Sequence, residues 1–393
     1  MIRTMHRYCI ALTVVLLSAC SWLPHRDVSE APASASAGAS LASWNDTTTK
    51  RSIVDFVQLV TTPESKDFIP RADRIAVFDY DGTLWPEQPA SVQLVFALQR
   101  VKTVAGKHPE WKRQEPFRSI LKGNLKSVAA SGDTGSMRVL AAAHAGMTSD
   151  QFAALVHEWF DSASDPRFNR LYADLGYQPM IELLAYLRAN GFKTYLVTGS
   201  DVEFVRDLAQ RVYGIPPEQV IGSTVKYRYS PQSNGTIALT RLAQVDSLVD
   251  GAAKPLAIDR VIGRRPVIAF GNADGDAPML EWTSAGDGPR LAALVHHTDA
   301  DREYAYDRGA KSGKLDKGLD EAGTKGWLVV DMKSDWRTVF KADGDGAAAA
   351  SSASGSPGST ASAAAAPALS ASGSAAATRS SSAAQGAQAA SVN

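Results

Sequence analysis

The sequence predicts an α/β fold with a doubly wound, mainly parallel sheet and a helical cap inserted into it. Short apolar runs that resemble buried strands alternate with helical patterns, which is typical of a parallel sheet covered by helices. Several runs end in polar residues and glycine, and in such sheets ligands gather at the carboxyl ends of the strands. Helical patterns also fill the long stretch between the first two of these runs.

The first strand carries two carboxylates at its tip. The apolar run Ile75–Phe78 leads into Asp79, Asp81 and Gly82. Residues two apart on a strand share a face, so both carboxylates can address one site, or they divide roles if the chain turns at Gly82. Paired carboxylates repel, and Mg²⁺ offsets this by binding carboxylate and carbonyl oxygens. One carboxylate can then act as a nucleophile while the other transfers protons.

The run Phe-Asp-Tyr-Asp-Gly-Thr-Leu at residues 78–84 resembles the first motif of the haloacid dehalogenase superfamily. Its phosphatase members, phosphoserine phosphatases among them, use the first aspartate as nucleophile and the second as general acid and base. The resemblance therefore implies these roles for Asp79 and Asp81, together with a Rossmann-like core, Mg²⁺ and a small phosphorylated substrate. Asp-x-Asp-Gly alone also fits an ordinary turn, so the later motifs decide between the two interpretations.

The second motif of the superfamily ends a strand in a hydroxyl residue that binds phosphate. Here a strand predicted at residues 194–197 is followed by Thr198, Gly199 and Ser200. Thr198 stands at the hydroxyl position, Gly199 lets the backbone approach a ligand, and Ser200 is expected to cap the helix starting near Asp201. Either hydroxyl can serve, and the resemblance assigns Thr198 and Gly199 to substrate binding.

The third motif is a lysine, and Lys254 stands in the expected order. It precedes Pro255 and an apolar helical pattern, and proline is favoured at a helix start. A lone lysine is most often a solvated surface residue, so its place before the fourth motif is what recommends it. The resemblance implies that Lys254 neutralises the charges of the phosphate and the nucleophile.

The fourth motif follows the apolar run 267–270, with the sequence Gly-Asn-Ala-Asp-Gly-Asp at residues 271–276. The commonest family pattern has an aspartate where this chain has Asn272, which can ligate through its carbonyl oxygen but carries no charge. We expect Asp276 to complete the metal site, while Asp274 shares its charge or only forms a turn. Asn272→Asp is then expected to tighten Mg²⁺ binding. The predicted metal ligands are Asp79, Asp81, Asn272 and Asp276.

The cap is predicted at residues 89–177, between two parts of a catalytic core at residues 51–88 and 178–340. A cap over the motifs would select the substrate, because the motifs themselves bind only metal and phosphate. Glu87 and Gln88 lead from the first motif into the cap. We expect them either to contact the leaving group of the substrate or to be solvated linker.

The other core elements follow from local signals. Helices are predicted from Pro179 to Asn190-Gly191 and over residues 201–213. Strands 220–229 and 236–242 are predicted to form a β-hairpin around Asn234-Gly235, and later strands are predicted at 291–295 and 327–330.

Several aromatic and histidine residues lie outside the motifs. Trp111, Trp159 and Phe160 fit a cap core better than a cage for a quaternary amine. His296 and His297 follow a core strand and are expected near the site. Because neighbouring residues on a strand face opposite sides, we do not expect them to share a metal.

The amino-terminal 20 residues have the layout of a secretory signal. Arg3 and Arg7 precede an apolar stretch at residues 10–17, which is too short to span a membrane. The following Leu-Ser-Ala-Cys resembles a bacterial lipobox, which implies that Cys20 is lipidated and becomes the mature amino terminus. Ordinary signal cleavage nearby is the alternative.

The residue after the lipobox predicts the location. Aspartate there is the usual inner-membrane retention signal, whereas this chain has Ser21. The resemblance therefore implies an outer-membrane lipoprotein facing the periplasm, with membrane contact only through the lipid anchor. Several acyl chains on Cys20 would anchor it stably.

The segments flanking the core are rich in small residues. Residues 21–50 are predicted to be a tether that is flexible and rich in Ala and Ser, and residues 341–393 a disordered tail of Ala, Ser and Gly. The chain has 41 basic and 41 acidic residues, so its formal charge is balanced. No basic stripe with interleaved aromatics is present, and we do not expect nucleic-acid binding.

These features together predict a Mg²⁺-dependent phosphomonoesterase that forms an aspartyl-phosphate on Asp79. A carbon–halogen hydrolase is one alternative, but those relatives generally lack the second aspartate, and this chain has Asp81. A non-catalytic envelope lipoprotein is another. The intact Asp79, Asp81 and Lys254 count against it, whereas Asn272 leaves this alternative open.

Overall fold

The computed structural model describes residues 41–124, 128, 132–231 and 233–341. The strands are β1 (Ile75–Phe78), β2 (Ser164–Asp165), β3 (Arg170–Leu171), β4 (Lys193–Asp201), β5 (Val220–Pro231), β6 (Ile237–Ser247), β7 (Ile268–Gly271), β8 (Leu291–His296) and β9 (Leu328–Asp331). The α-helices are α1 (Thr48–Thr61), α2 (Val92–Val104), α3 (Phe117–Leu121), α4 (Gly132–Ala143), α5 (Ser149–Phe160), α6 (Gln178–Ala189), α7 (Val202–Tyr213), α8 (Ala253–Ile262), α9 (Ala277–Ser284), α10 (Lys317–Lys325) and α11 (Met332–Asp335).

Within the described residues, seven strands form one sheet in the order β6-β5-β4-β1-β7-β8-β9. The neighbours pair in parallel except β5 and β6, which form an antiparallel hairpin. The predicted α/β class, the mainly parallel sheet and the hairpin are therefore confirmed. Gly235 forms the hairpin turn with a φ of +82°, a conformation that favours glycine.

Strand β1 lies at the centre of this sheet. Phe78 is in register with Leu196 of β4 on one side and with Phe270 of β7 on the other. Side chains alternate between the faces, so Phe78 packs into one apolar core while Val77 packs into the other. Because the three strands are parallel and in register, the residues that follow them emerge side by side at one edge of the sheet.

The segment predicted as the cap is helical, with α2, α3, α4 and α5 in its described part. It packs against the hairpin through Arg241 of β6, which is fully buried. The Arg241 guanidinium lies 3.7 Å from the Phe152 ring centroid and 2.7 Å from Oδ2 of Asp201. The backbone of Arg241 also accepts from Gly146 and donates to Met147. These contacts fix the helical segment to the core.

The amino-terminal boundary of the folded unit differs from the expectation. Leu41 and Trp44 are buried, and the Trp44 indole donates to the Pro179 carbonyl at 2.8 Å. Ser43 donates to the Glu182 carboxylate through both its amide and its hydroxyl. The prediction that the flexible tether continues to residue 50 was wrong, because two large apolar side chains in it complete the core, and helix α1 begins at Thr48.

The predicted signal peptide, Cys20, residues 21–40 of the tether and the tail beyond residue 341 lie outside the described residues. Among the described residues, no helix combines the length and apolar character that crossing a membrane requires.

Candidate active site

The turn after β1 presents both aspartates at the sheet edge. The amides of Thr83 and Leu84 donate to the Tyr80 carbonyl, and the Gly82 amide donates to the Trp85 carbonyl. Gly82 has a φ of +83°, and a Cβ there would overlap Asn272 and Glu87. Glycine is therefore required where the first motif meets the fourth.

Lys254 joins the first, second and fourth motifs from the first turn of α8. Its Nζ lies 2.5 Å from Asp79 Oδ1, 2.6 Å from Asp276 Oδ1 and 3.2 Å from the Val197 carbonyl. An ammonium has three protons, so these acceptors satisfy it completely. Desolvation opposes the charged form of Lys254, but the carboxylates of Asp276 and Asp79 outweigh it and raise the pKa. Lys254 therefore stays a cation against Asp79.

Asp79 is buried, and desolvation raises its pKa well above the ordinary value. Repulsion from Asp276 adds to this effect, and Lys254 opposes it. A bound cation would favour the ionised, nucleophilic form, since positive charge lowers the pKa of a neighbouring carboxyl.

Asp81 is held by two donors from different parts of the chain. The Ser200 hydroxyl donates to Oδ2 at 2.7 Å, and the Trp85 indole donates to Oδ1 at 3.2 Å. Burial raises the pKa of Asp81, while the hydrogen bonds from Ser200 and Trp85 partly oppose the shift. A carboxyl in this state can donate a proton nearer to neutral pH than a solvated aspartic acid can.

Asp79 and Asn272 converge on one hydroxyl. The Thr83 Oγ1 lies 3.2 Å from Asp79 Oδ2 and 3.1 Å from Asn272 Oδ1. A hydroxyl has one proton and can donate to only one of these oxygens. The oxygen that does not accept this proton then lacks a donor from Thr83. A cation bound beside Asp79 and Asn272 would stabilise both oxygens. The donor set fits a hard cation that prefers oxygen ligands.

Asp276, which the sequence predicts as a metal ligand, makes other contacts. Its Oδ1 contacts Lys254, and its Oδ2 accepts from the amides of Asn272 and Ala273 at 2.9 and 3.0 Å. Within the described residues, no group of three or more His, Cys, Asp and Glu side chains is arranged to hold a metal. A metal at this edge would therefore depend on the Asn272 oxygen and backbone carbonyls beside Asp79.

Glu87 lies in the same buried cluster. Its Oε1 accepts from Asn272 Nδ2 at 2.6 Å and from the Tyr306 hydroxyl at 2.8 Å, and its Oε2 accepts from the Ser312 hydroxyl at 3.3 Å. Burial raises the pKa of Glu87 well above the ordinary value, and the nearby Asp81 and Asp79 add to the shift. The Gln88 side-chain amide donates to the backbone carbonyl of Ser312 at 2.9 Å.

The carboxylates open into a cavity of about 280 Å³. One wall comes from the long loop after β8, at residues 297–316. Asp274 anchors this loop by accepting from the amides of Asp316 and Gly318. The cavity is lined by Asp79, Asp81, Glu87, Ser91, Gly199, Asp250, Lys254, Asn272, Ala273, Asp274, Gly275, Asp276, Lys311, Ser312, Gly313 and Lys314.

The two hydroxyls of the second motif have different contacts. Thr198 is buried, and its Oγ1 accepts from the Ser200 amide at 3.0 Å. Ser200 was expected to cap the following helix, which was wrong: Asp201 caps α7 by accepting from the Glu203 amide. Aspartate and serine are comparably favoured as N-caps, and with Asp201 in that position the Ser200 hydroxyl donates to Asp81 instead.

The histidines and cap aromatics are also placed. His297 is buried with Nε2 2.7 Å from the Gly82 carbonyl and Nδ1 3.1 Å from Glu303, so it supports the first motif. His296 instead lies 3.4 Å from Asp307. The aromatics Trp111, Trp159 and Phe160 pack in the cap core.

Sequence reasoning did not find Thr83, Tyr306, Ser312, Lys311, Lys314 or Asp250 as site residues. Thr83 had a signal, since it lies inside the first motif. The others lie in irregular loops, where no periodicity indicates which side chains turn inward.

Residues 76–281 match the family described as haloacid dehalogenase-like hydrolase, and the chain belongs to that family. It is therefore a hydrolase, and the match covers all four motifs. No curated protein matches the sequence.

Solved structures with a similar fold include two proteins of unknown function. One, from Bordetella pertussis Tohama I, is 15% identical with a TM-score of 0.42, and the match covers 66% of this chain and 98% of the Bordetella chain. Another, from Anaerococcus prevotii, is 14% identical with a TM-score of 0.42, covering 68% and 95%. A phosphoserine phosphohydrolase-like protein from Francisella tularensis is 16% identical with a TM-score of 0.35, covering 64% and 98%.

Proposed function

We propose that the protein is a Mg²⁺-dependent phosphomonoesterase that forms an aspartyl-phosphate on Asp79. One observation carries the proposal: Asp79 and Asp81 line one cavity, with Lys254 2.5 Å from the first and Ser200 2.7 Å from the second. The proposal takes Asp79 as the nucleophile because it lies beside a cation, and Asp81 as the acid because other residues hold it. A carbon–halogen hydrolase would have no use for that second carboxyl.

In the first step, a carboxylate oxygen of Asp79 attacks phosphorus and the bond to the leaving oxygen breaks. Asp81 gives its proton to that oxygen, and the raised pKa of Asp81 supports this role. In the second step, the ionised Asp81 takes a proton from water, whose oxygen attacks the same phosphorus. Inorganic phosphate leaves and Asp79 is restored.

Other groups of the chain orient the phosphoryl oxygens. Lys254 offsets their charge, and the backbone of Gly199 lines the cavity where it can donate to them. Thr198 keeps its own proton available, because its oxygen accepts from Ser200.

Asp79, Asn272 and the Asp81 carbonyl would hold the Mg²⁺ ion. When bound, it would neutralise charge on the nucleophile and the phosphoryl group.

The cavity of about 280 Å³ fits a small phosphorylated substrate rather than a polymer. Three lysines balance the charge of the carboxylates that line the cavity: Lys254 inside it, and Lys311 and Lys314 on the loop after β8.

We further propose that the protein acts in the bacterial periplasm, anchored to the outer membrane by lipidated Cys20, as the lipobox-like sequence suggests.

A phosphatase screen tests the proposal. The purified protein is assayed for phosphate release from phospho-amino acids, sugar phosphates, nucleotides and phosphocholine, with Mg²⁺ or with EDTA. We expect Mg²⁺-dependent release from at least one class, and none from the Asp79→Asn variant. Release that persists in that variant would overturn the proposal.

A further inference from the structure

We infer that Glu87 is a positioning residue that orients the Asn272 amide, so that its oxygen faces the place where Mg²⁺ would bind. The inference rests on the Mg²⁺ site of the proposed function. It concerns how two residues 185 positions apart act as one unit.

The contact between the two side chains fixes the amide of Asn272. A carboxylate accepts hydrogen bonds, so the Asn272 nitrogen faces Glu87 Oε1 at 2.6 Å. The amide oxygen is then turned the other way, towards Thr83 Oγ1 at 3.1 Å and the Asp79 carboxylate. Glu87 therefore aims the neutral oxygen ligand at the place where a cation would bind.

The surroundings of Glu87 hold its carboxylate in one position. Tyr306 and Ser312 donate to it from the loop after β8. Gly82 and Gly313 both have positive φ values, and a Cβ at either position would overlap Glu87 Oε1. Two backbone segments thus approach the carboxylate more closely than any other residue type would permit. A solvated linker residue would need none of these contacts.

This arrangement reverses the expectation drawn from the sequence for Asn272→Asp. The introduced carboxylate would place an oxygen where Nδ2 now donates, 2.6 Å from Glu87 Oε1. Two carboxylates at that distance repel, or they share a proton and add no charge. The substitution alone should therefore not tighten Mg²⁺ binding. Combined with Glu87→Gln, it keeps the original charge and lets the introduced carboxylate act as a direct ligand.

The experiment is a double-mutant cycle read by Mg²⁺ affinity. Mg²⁺ is titrated calorimetrically into the substrate-free full-length protein, and melting temperature is followed with and without Mg²⁺. We expect Glu87→Gln to weaken affinity roughly 10- to 100-fold, as loss of a residue that orients a metal ligand does. Asn272→Asp should bind no more tightly than wild type. The double variant should bind about 10-fold or more tighter than Glu87→Gln.

Glu218→Gln makes the same chemical change on the exposed surface and should keep wild-type affinity. Wild-type affinity in Glu87→Gln, or tighter binding in Asn272→Asp with Glu87 intact, would overturn the inference. No Mg²⁺ binding by the wild type would overturn the proposed metal dependence and the inference with it. If the cycle behaves as expected but no phosphate ester is cleaved, the inference stands and the proposed activity fails.

Discussion

The Ser200 hydroxyl donates a hydrogen bond of 2.7 Å to Asp81, joining the second motif to the first. This contact assigns Ser200 a role distinct from helix capping. It stabilises the ionised form of Asp81 and so opposes the effect of burial on that pKa.

We expect Ser200→Ala to raise the pKa of Asp81 further. The acid form would then persist to higher pH, and the alkaline limb of the kcat/KM profile would move to higher pH. The reason is that a hydrogen bond to a charged group contributes roughly 1.5–3 kcal/mol, which the ionised form of Asp81 would lose. A pH–rate profile measures the shift of this limb. Ser91→Ala, which lines the same cavity without a hydrogen bond to Asp81, should leave the limb in place, and an equal shift in both variants would count against the assignment.

The pH dependence of stability should report His144. Its ring is buried and stacked on Phe96, and burial lowers its pKa from 6.5 to about 3. Below pH 6.5 the unfolded chain binds a proton that the folded protein excludes, so stability is present above this pH and is lost as pH falls. This group should remove about 2 kcal/mol of unfolding free energy between pH 7 and pH 5.

Urea denaturation at both pH values tests this expectation. The loss between pH 7 and pH 5 should be smaller by that amount in His144→Leu, whatever its absolute stability. The variant His108→Gln, at a partly exposed histidine, should behave as wild type. An undiminished loss in His144→Leu would show that this histidine does not cause the acid sensitivity.

The amino-terminal boundary can be tested by truncation. A chain from Leu41 to Lys341 keeps Trp44 against Pro179 and Trp336, and should match the activity and melting temperature of the full-length protein. A chain from Thr47 loses these contacts, and truncating a buried tryptophan costs about 3–5 kcal/mol. We expect it to melt at a clearly lower temperature. Equal melting of the two truncated proteins would show that residues 41–46 do not stabilise the fold.

Anchoring should be separable from catalysis. Cys20→Ser should leave the membrane fraction or stay unprocessed, while its activity per folded molecule is unchanged, since the site is built from residues 79–314. Membrane fractionation followed by immunoblotting measures this. An equally membrane-bound Cys20→Ser protein would disprove the lipid anchor.

The strand tips of the site were predictable because each follows a short, continuous apolar run. Asp79 and Asn272 follow β1 and β7 in this way, Thr198 lies near the end of β4, and parallel pairing brings such ends together. The position of Lys254 was predictable only from the order of the motifs, since nothing local distinguishes it from a surface lysine.

The contacts of Glu87 could not be predicted. Asn272, Tyr306 and Ser312 approach it from sequence separations of 185, 219 and 225 residues. Two of these partners lie in an irregular loop, so no pattern of polar and apolar residues indicates their direction. At the amino terminus, the Ala- and Ser-rich composition concealed Trp44, a residue whose size was the one local sign of packing.

The central claim is that Asp79 forms a covalent bond to phosphorus, and acid-quenched mass spectrometry tests it most directly. Asp81→Asn is mixed with Mg²⁺ and a substrate from the phosphatase screen, quenched in acid, digested and sequenced by fragmentation. We predict one phosphoryl group on Asp79, because the substituted residue cannot activate water for the second step, and no such label in Asp79→Asn. Phosphate release by the wild type through an intermediate carried on any other residue, or label that persists in Asp79→Asn, would contradict the account.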